Sequence, residues 1–319
     1  ASEVCKGREP GLELTDVHRR TGGTMILKEI DWRIDQGQHW VVLGPNGSGK
    51  STLSNAIMGK PGYQITSGSL ELDGQDLSAL PTWARAQAGL FLVMQYPTEV
   101  PGVSVRETLE FALKERGLEE VDVQSRLIEE AQQIGLQTEL LDRALNVDLS
   151  GGEKKRNETA QLAVLGPQIA VLDELDSGLD IDALRACAER IEVMTEEGLG
   201  VLCITHYHRL LDYLPADHVH ILVNGQIVES GGPELARELE ANGYARFTDS
   251  DGESDGVSVA IGGRSETNSL LAAEPEDPFA DPLAQTRWLV RLFGPITLMG
   301  LRHDLVVLGA ENETRAAYG

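Results

Sequence analysis

The segment Gly44-Pro45-Asn46-Gly47-Ser48-Gly49-Lys50-Ser51-Thr52 constrains this chain more than any other. It matches G-x-x-x-x-G-K-[ST], a loop that cradles phosphates. It follows the apolar run Trp40-Val41-Val42-Leu43, which reads as a strand, and leads into Ser51 to Met58, which reads as a helix. Strand, glycine-rich turn and helix N-terminus make an anion site, because backbone N–H groups and the helix dipole converge on one point. The glycines let the backbone approach a polyphosphate closely. Lys50 meets the outer phosphates, and the Ser51 hydroxyl suits Mg²⁺.

Further along, Leu149-Ser150-Gly151-Gly152-Glu153 reads as a loop ending in a Ser N-cap, with Glu153 completing a capping box for a helix that runs to Leu165. The run Ile169-Ala170-Val171-Leu172-Asp173-Glu174 is apolar and ends in two carboxylates. It reads as a buried parallel strand whose C-terminal end faces a ligand crevice. There Asp173 suits Mg²⁺, directly or through water, and Glu174 suits orienting and polarising a water molecule. The plainer alternative is a solvated strand end. Gln95 follows the strand Gly89 to Met94, Ser177-Gly178-Leu179-Asp180 follows Glu174, and His206 follows the strand Val201 to Thr205. Each of these alone is more often structural than functional.

In this order the motifs resemble those of ABC-type ATPases: P-loop, Q-loop glutamine, LSGGE signature, catalytic strand end, D-loop and switch histidine. The resemblance spans about Leu12 to Phe247. Within the family, Gln95 to Val103, Ser150 to Glu158, Asp176 to Leu184, Ile204 to Tyr207 and the end Gly225 to Tyr244 are similar to SufC, the ATPase of the SUF iron–sulfur assembly system. The resemblance implies an α/β fold: a mostly parallel sheet, an antiparallel β edge and a helical signature subdomain, followed here by a C-terminal extension.

It implies ATP and Mg²⁺ as cofactors and ATP hydrolysis as the activity. Gly44, Pro45, Asn46, Gly47, Ser48, Gly49, Lys50, Ser51, Thr52 and Gln95 would hold the nucleotide from one subunit. Ser150, Gly151, Gly152 and Glu153 would hold it from the partner, with the D-loop Asp180. Glu174, His206 and Lys50 would be catalytic; Ser51, Gln95 and Asp173 would bind the metal. The implied partners are a second copy in an ATP-dependent head-to-tail homodimer and SufB/SufD-like scaffold proteins. The rival readings are an ATP-binding subunit of a membrane ABC transporter and a nucleotide-dependent interaction module with little turnover.

Three departures stand out. Leu175 follows Glu174 where the family usually has Ser or Thr. Residues 26 to 43 look like a general bacterial ABC ATPase. The aromatic position on which many members stack adenine falls near Thr21, with His18 the ring close by. Lys154 and Lys155 are candidates to pair with a carboxylate such as Glu174, or simply to form a solvated basic helix start.

The length of 319 residues suits one ATPase domain, residues 1–247, with a helical subdomain at about 96–165. The acidic run Asp249 to Asp255 reads as a linker, so 248–319 is expected to be a linker and an extension. A net charge of −24 argues against nucleic acid and against an anionic membrane face. The cysteines, Cys5, Cys187 and Cys203, number three and form no C-x-x-C pair, so the chain is a poor metal cage and fits a reducing compartment. No signal-peptide pattern is visible, and Trp288 to Leu301 is broken by Arg291 and Pro295, so direct membrane insertion is not expected and a cytoplasmic location is. Leu12 to Leu43 reads as short strands with turns at Gly22-Gly23 and Gln36-Gly37. Val105 to Glu115 and Val123 to Ile134 have helical periodicity, with Leu109, Leu113, Leu127 and Ile134 on the apolar side.

Overall fold

The computed structural model describes residues 10–21, 24–205 and 210–248. His206, the Gly22-Gly23 turn, Cys5 and the whole segment 249–319 lie outside the described residues. In chain order the elements are β1 (Gly11–Thr21), β2 (Thr24–Asp35), β3 (His39–Leu43), α1 (Lys50–Ile57), β4 (Ser67–Leu72), β5 (Gln75–Asp76), α2 (Thr82–Ala88), β6 (Leu90–Val93) and β7 (Val100–Ser104). Then come α3 (Val105–Glu115), α4 (Val123–Gln133), a 3-10 turn (Thr138–Asp142), β8 (Ala144–Leu145), α5 (Gly151–Leu165), β9 (Ile169–Asp173), α6 (Ile181–Glu196), β10 (Gly200–Ile204), β11 (His218–Val223), β12 (Gln226–Gly231) and α7 (Pro233–Asn242).

The central sheet has the order β12-β11-β3-β10-β9-β6 and is parallel except for β12. The inner strands β3, β9 and β10 are short and largely apolar, as expected where both faces are covered, whereas the edge strand β12 is polar and half-exposed. Alternation along the strands sorts the side chains. Val42, Val171, Leu202 and Ile204 join the core formed with α1 and the antiparallel sheet β2-β1-β4-β5. Val41, Leu43, Ala170, Leu172, Val201 and Cys203 join the core formed with α5, α6 and α7. Burial pushes the Cys203 thiol up, in keeping with a small hydrophobe in a core.

The antiparallel edge differs from the expected short strands. β1 and β2 form one hairpin of 11 and 12 residues. Register shifts and positive-φ residues, Asp16 at 49° and Glu29 at 51°, interrupt its ladder. Such bulges let a long ribbon bend over the central sheet while its alternation still points Leu12, Leu14, Ile30 and Ile34 inward. Between β7 and α5, helices α3 and α4 run as the periodicity predicts, and Leu109, Leu113, Leu127 and Ile134 are buried. Arg190 on α6 donates two bonds to Glu130 on α4, at 2.6 and 2.8 Å, tying this helical region to the central layer.

On the opposite side, His220 of β11 is 5% exposed and its ring lies 5.0 Å from Trp32 and 4.9 Å from Trp40. Its Nδ1 shares a 2.7 Å hydrogen bond with Ser230 Oγ. Burial, with a smaller effect from His218, lowers its pKa from 6.5 to about 4. The folded value lies below the unfolded one, so stability is present above the unfolded value and is lost as pH falls through the window between them. A shift of this size corresponds to about 3 kcal/mol. Denaturant unfolding followed from neutral pH down to about pH 4 should show that loss, and His220→Phe should remove most of it. The same pH slope in the variant would exclude His220 as its source.

Candidate active site

The P-loop leaves the C-terminal end of β3, which lies between β10 and β11 in the sheet. Gly44 has no room for a side chain: a Cβ would sit 2.3 Å from Leu222 O and 2.6 Å from Ser48 Oγ. Gly47 and Gly49 adopt φ of 81° and 107°, which glycine takes without steric cost. Gly49 caps α1 and offers no side-chain hydrogen bond, so the first amides of the helix are left for an anion. The turn residue Gly225 donates to Ser48 O at 2.9 Å and accepts from Lys28 N at 2.8 Å, drawing the start of β2 against the loop.

These elements enclose a cavity of about 480 Å³ lined by Ile26, Asn46, Gly47, Gly49, Lys50, Ser51, Thr52, Gln95 and Glu174. Its apolar wall is thus Ile26. His18 hydrogen-bonds Asp16 at 2.9 Å and, like Thr21, is not among the lining residues. Lys50 Nζ donates to the carbonyls of Gly44, at 2.7 Å, and Pro45, at 3.0 Å. Burial lowers its pKa, and the charges of Glu174 and Asp173 oppose that shift.

Opposite the loop, β9 delivers its two carboxylates in different ways. Asp173 is 4% exposed, and its Oδ2 accepts from Ser54 Oγ at 2.7 Å. Burial raises its pKa while the Ser54 bond lowers it. Its Oδ1 is buried without a hydrogen-bond partner among the described residues. An orphaned carboxylate oxygen, with Ser51 and Gln95 on the neighbouring wall, fits the oxygen donor set of a hard divalent cation. Glu174 takes a left-handed φ of 49°, and its N–H donates to Ile204 O at 2.8 Å. That turn aims the side chain into the cavity, where Oε2 accepts from Gln95 Nε2 at 2.6 Å. Leu175 is completely buried in the α5–α6–α7 core, so this departure from the family pattern is a packing choice.

The signature residues lie elsewhere. Ser150 and Gly151 are exposed at the start of α5, and neither they nor Gly152 and Glu153 line the cavity. The capping box forms: Ser150 Oγ accepts from Glu153 N at 3.3 Å, and Glu153 Oε2 accepts from Ser150 N at 2.7 Å. Gly152 meets the D-loop, where a Cβ would be 3.1 Å from Gly178 O. Asp180 caps α6, its Oδ1 accepting from Ala183 N at 2.8 Å.

A family model described as "ABC transporter" matches residues 27–177. The chain is 47% identical over 238 residues to "Vegetative protein 296" of Bacillus subtilis, covering 73% of this chain and 91% of that protein. The chain belongs to the ABC transporter ATPase family. It is 46% identical over 240 residues to a "Probable ATP-dependent transporter" of Synechocystis sp., covering 73% and 94%. Among solved structures, one described as "Structure of ATP binding subunit of ABC transporter" superposes with a TM-score of 0.63 at 25% identity, covering 73% of this chain and 94% of that one. This ABC ATPase therefore has the expected α/β fold, binds ATP and hydrolyses it. ABC ATPases work as dimers together with other subunits.

Several residues that shape the site carry no motif. Ser54 holds Asp173 from α1. Arg85, 2% exposed, donates to the carbonyls of Ala56, Ile57, Ser78 and Leu80 at 2.6–2.9 Å and so anchors the far end of α1. Lys154 pairs with Glu99 at 2.6 Å, neither with Glu174 nor as a merely solvated lysine. Lys155 is buried and donates to the carbonyls of Met94 and Asp173. Burial lowers its pKa and raises that of the neighbouring buried Glu158, each charge opposing the other's shift. Only a close tertiary approach distinguishes Ser54 and Arg85, so no sequence signal marks these two.

Gly44→Ala should force Leu222 or the loop to move, lowering stability by about 1–3 kcal/mol. ATP binding should weaken with it. Thermal unfolding and a nucleotide titration check both; an unperturbed loop would leave the two unchanged.

Proposed function

We propose that this chain is a SufC-like ATPase, located in the cytoplasm, whose ATP-driven closure remodels an iron–sulfur cluster scaffold of the SufB/SufD type. The observation that carries the mechanical half of this reading is the separation just described. One chain offers a cavity with P-loop, Gln95 and Glu174 but holds Ser150, Gly151 and Gly152 on an exposed helix end outside it. Two chains arranged head to tail complete two cavities, each nucleotide lying between one chain's P-loop and its partner's signature. The assignment to iron–sulfur assembly rests on the SufC-like segments, Gln95 to Val103 and Ser150 to Glu158 foremost. Tyr96, beside Gln95, is 79% exposed, which suits a partner surface next to the site. Residues 1–247 are read as the ATPase domain, 96–165 as its helical subdomain and 248–319 as an extension.

The reaction breaks the bond between the γ-phosphorus and the bridging oxygen; water supplies the new oxygen, and ADP and phosphate leave. Positioning and charge stabilisation do most of this chemistry. P-loop amides and Lys50 hold the β- and γ-phosphates, with Thr52 at the start of α1. Lys50 exchanges its loop carbonyls for phosphate oxygens as ATP enters. Glu174 accepts the water's proton, and Gln95, bonded to it, sets its orientation. His206, outside the described residues, is assigned to the γ-phosphate. Ser51, Gln95 and Asp173 would hold Mg²⁺, which when bound supplies charge neutralisation on the phosphates.

A membrane transporter is the second reading, favoured by the relatives named as ATP-dependent transporters. Among the described residues no helix is long and apolar enough to cross a membrane. Tagged chain captured from the soluble fraction should bring a scaffold pair with it. Recovery only with integral membrane proteins would select the transporter instead.

Glu174→Gln should retain ATP affinity and lose turnover by about 10²–10⁴-fold, the usual worth of a general base. With ATP it should accumulate as a closed dimer in sedimentation. Wild-type turnover would remove the assignment of Glu174, and an unshifted sedimentation profile would remove the head-to-tail dimer.

A further inference from the structure

Met94 sits between the last residue of β6 and Gln95. β6 is an edge strand of the central sheet, and its ladder with β9 ends at the pair Val93–Leu172. Met94 thus leaves the sheet, and its backbone N–H and C=O need other partners. One helix provides both. Glu158 Oε2 accepts from Met94 N at 3.1 Å, and Lys155 Nζ donates to Met94 O. The same ammonium donates to Asp173 O at 3.2 Å. Lys155 is 1% exposed and Glu158 4%. Three positions apart on α5, they share the face turned towards the site.

Two buried ionisable groups are a costly way to satisfy the backbone of one residue, and burying such a pair is weak evidence for stability. What the pair does uniquely is join three functional segments: the helix that begins at Ser150, the residue before Gln95, and the peptide joining Asp173 to Glu174. We infer that Lys155 and Glu158 are positioning residues that clamp the signature helix to the Q-loop and to the end of β9. A displacement of Ser150 then carries Gln95 and Glu174 with it. This rests on the proposed head-to-tail reading, under which Ser150 meets the partner's nucleotide while Gln95 and Glu174 meet the chain's own. The clamp is then the link by which occupation of one ATP site sets the geometry of the other.

The test measures kcat and, separately, ATP affinity on the full chain. Glu158→Leu keeps the volume but leaves the Met94 N–H without an acceptor. It should lower kcat by about 10–100-fold, the range seen for outer-shell partners, with ATP affinity close to wild type. Glu158→Gln, which still accepts from that N–H, should recover most of the loss. Lys155→Met should show the same split of kcat from affinity, and it decides the matter if Glu158→Leu does not fold. Wild-type kcat in folded Glu158→Leu or in Lys155→Met overturns the clamp. So does an equal loss in Glu158→Gln, or a loss of affinity without a loss of kcat. Failure of the dimer reading shows separately, in the Glu174→Gln sedimentation experiment, which alters neither clamp residue.

Discussion

The parallel pairing of β3 with β10, and of β10 with β9, underlies everything at this site. It brings Leu43, Ile204 and Asp173 to the same end of one sheet, although they are far apart in sequence. Parallel strands bond evenly and are buried on both faces, so their ends are held without slack. The phosphate loop, the two carboxylates and Thr205 inherit that rigidity. Thr205 Oγ1 donates to Asp176 Oδ1 at 3.1 Å, joining the end of β10 to the loop after β9.

Around this frame the chain spends polar side chains on holding backbone. Arg85 binds four carbonyls at the end of α1 and just ahead of α2. Lys50 binds two in the loop, and Lys155 binds one each from the Q-loop side and from β9. These contacts hold carbonyls at helix ends, in loops and at the end of β9, and two of them, Ala56 O and Pro45 O, also accept from a backbone N–H. Each also charges the interior, and the pKa directions record the cost: Lys50, Arg85 and Lys155 are all lowered by desolvation first. Asp173 and Glu158 are raised for the same reason. The site is a place where charges are kept buried by geometry, which is common where charge must act on a ligand.

The signature helix belongs to this network at its inner face and to solvent at its start. Its capping box would serve any helix, and the structure uses it as such. The exposed Ser150 and Gly151 gain a functional meaning only through the second chain proposed above. Asp180 is similar: it caps α6 within one chain, and any wider role depends on the partner.

Much of this was legible in the residues. The P-loop, its strand and its helix stand where their pattern placed them, because glycine conformation, helix capping and strand alternation are local properties. The helices from Val105 and Val123 were legible for the same reason, as was the order of motifs along the chain. The length of the β1–β2 hairpin was not, since bulges at Asp16 and Glu29 depend on what the ribbon wraps around. Nor were Ile26 as the apolar wall of the cavity, Ser54 on Asp173, Arg85 under α1, or Lys155 and Glu158 on Met94. Leu175 looked like a change at the site and proved to be core. By itself the sequence determined which chemistry the chain carries and the local shape of each motif. The tertiary structure alone decided which motifs meet, because a contact between distant residues depends on strand order and burial, and neither is written in any one segment.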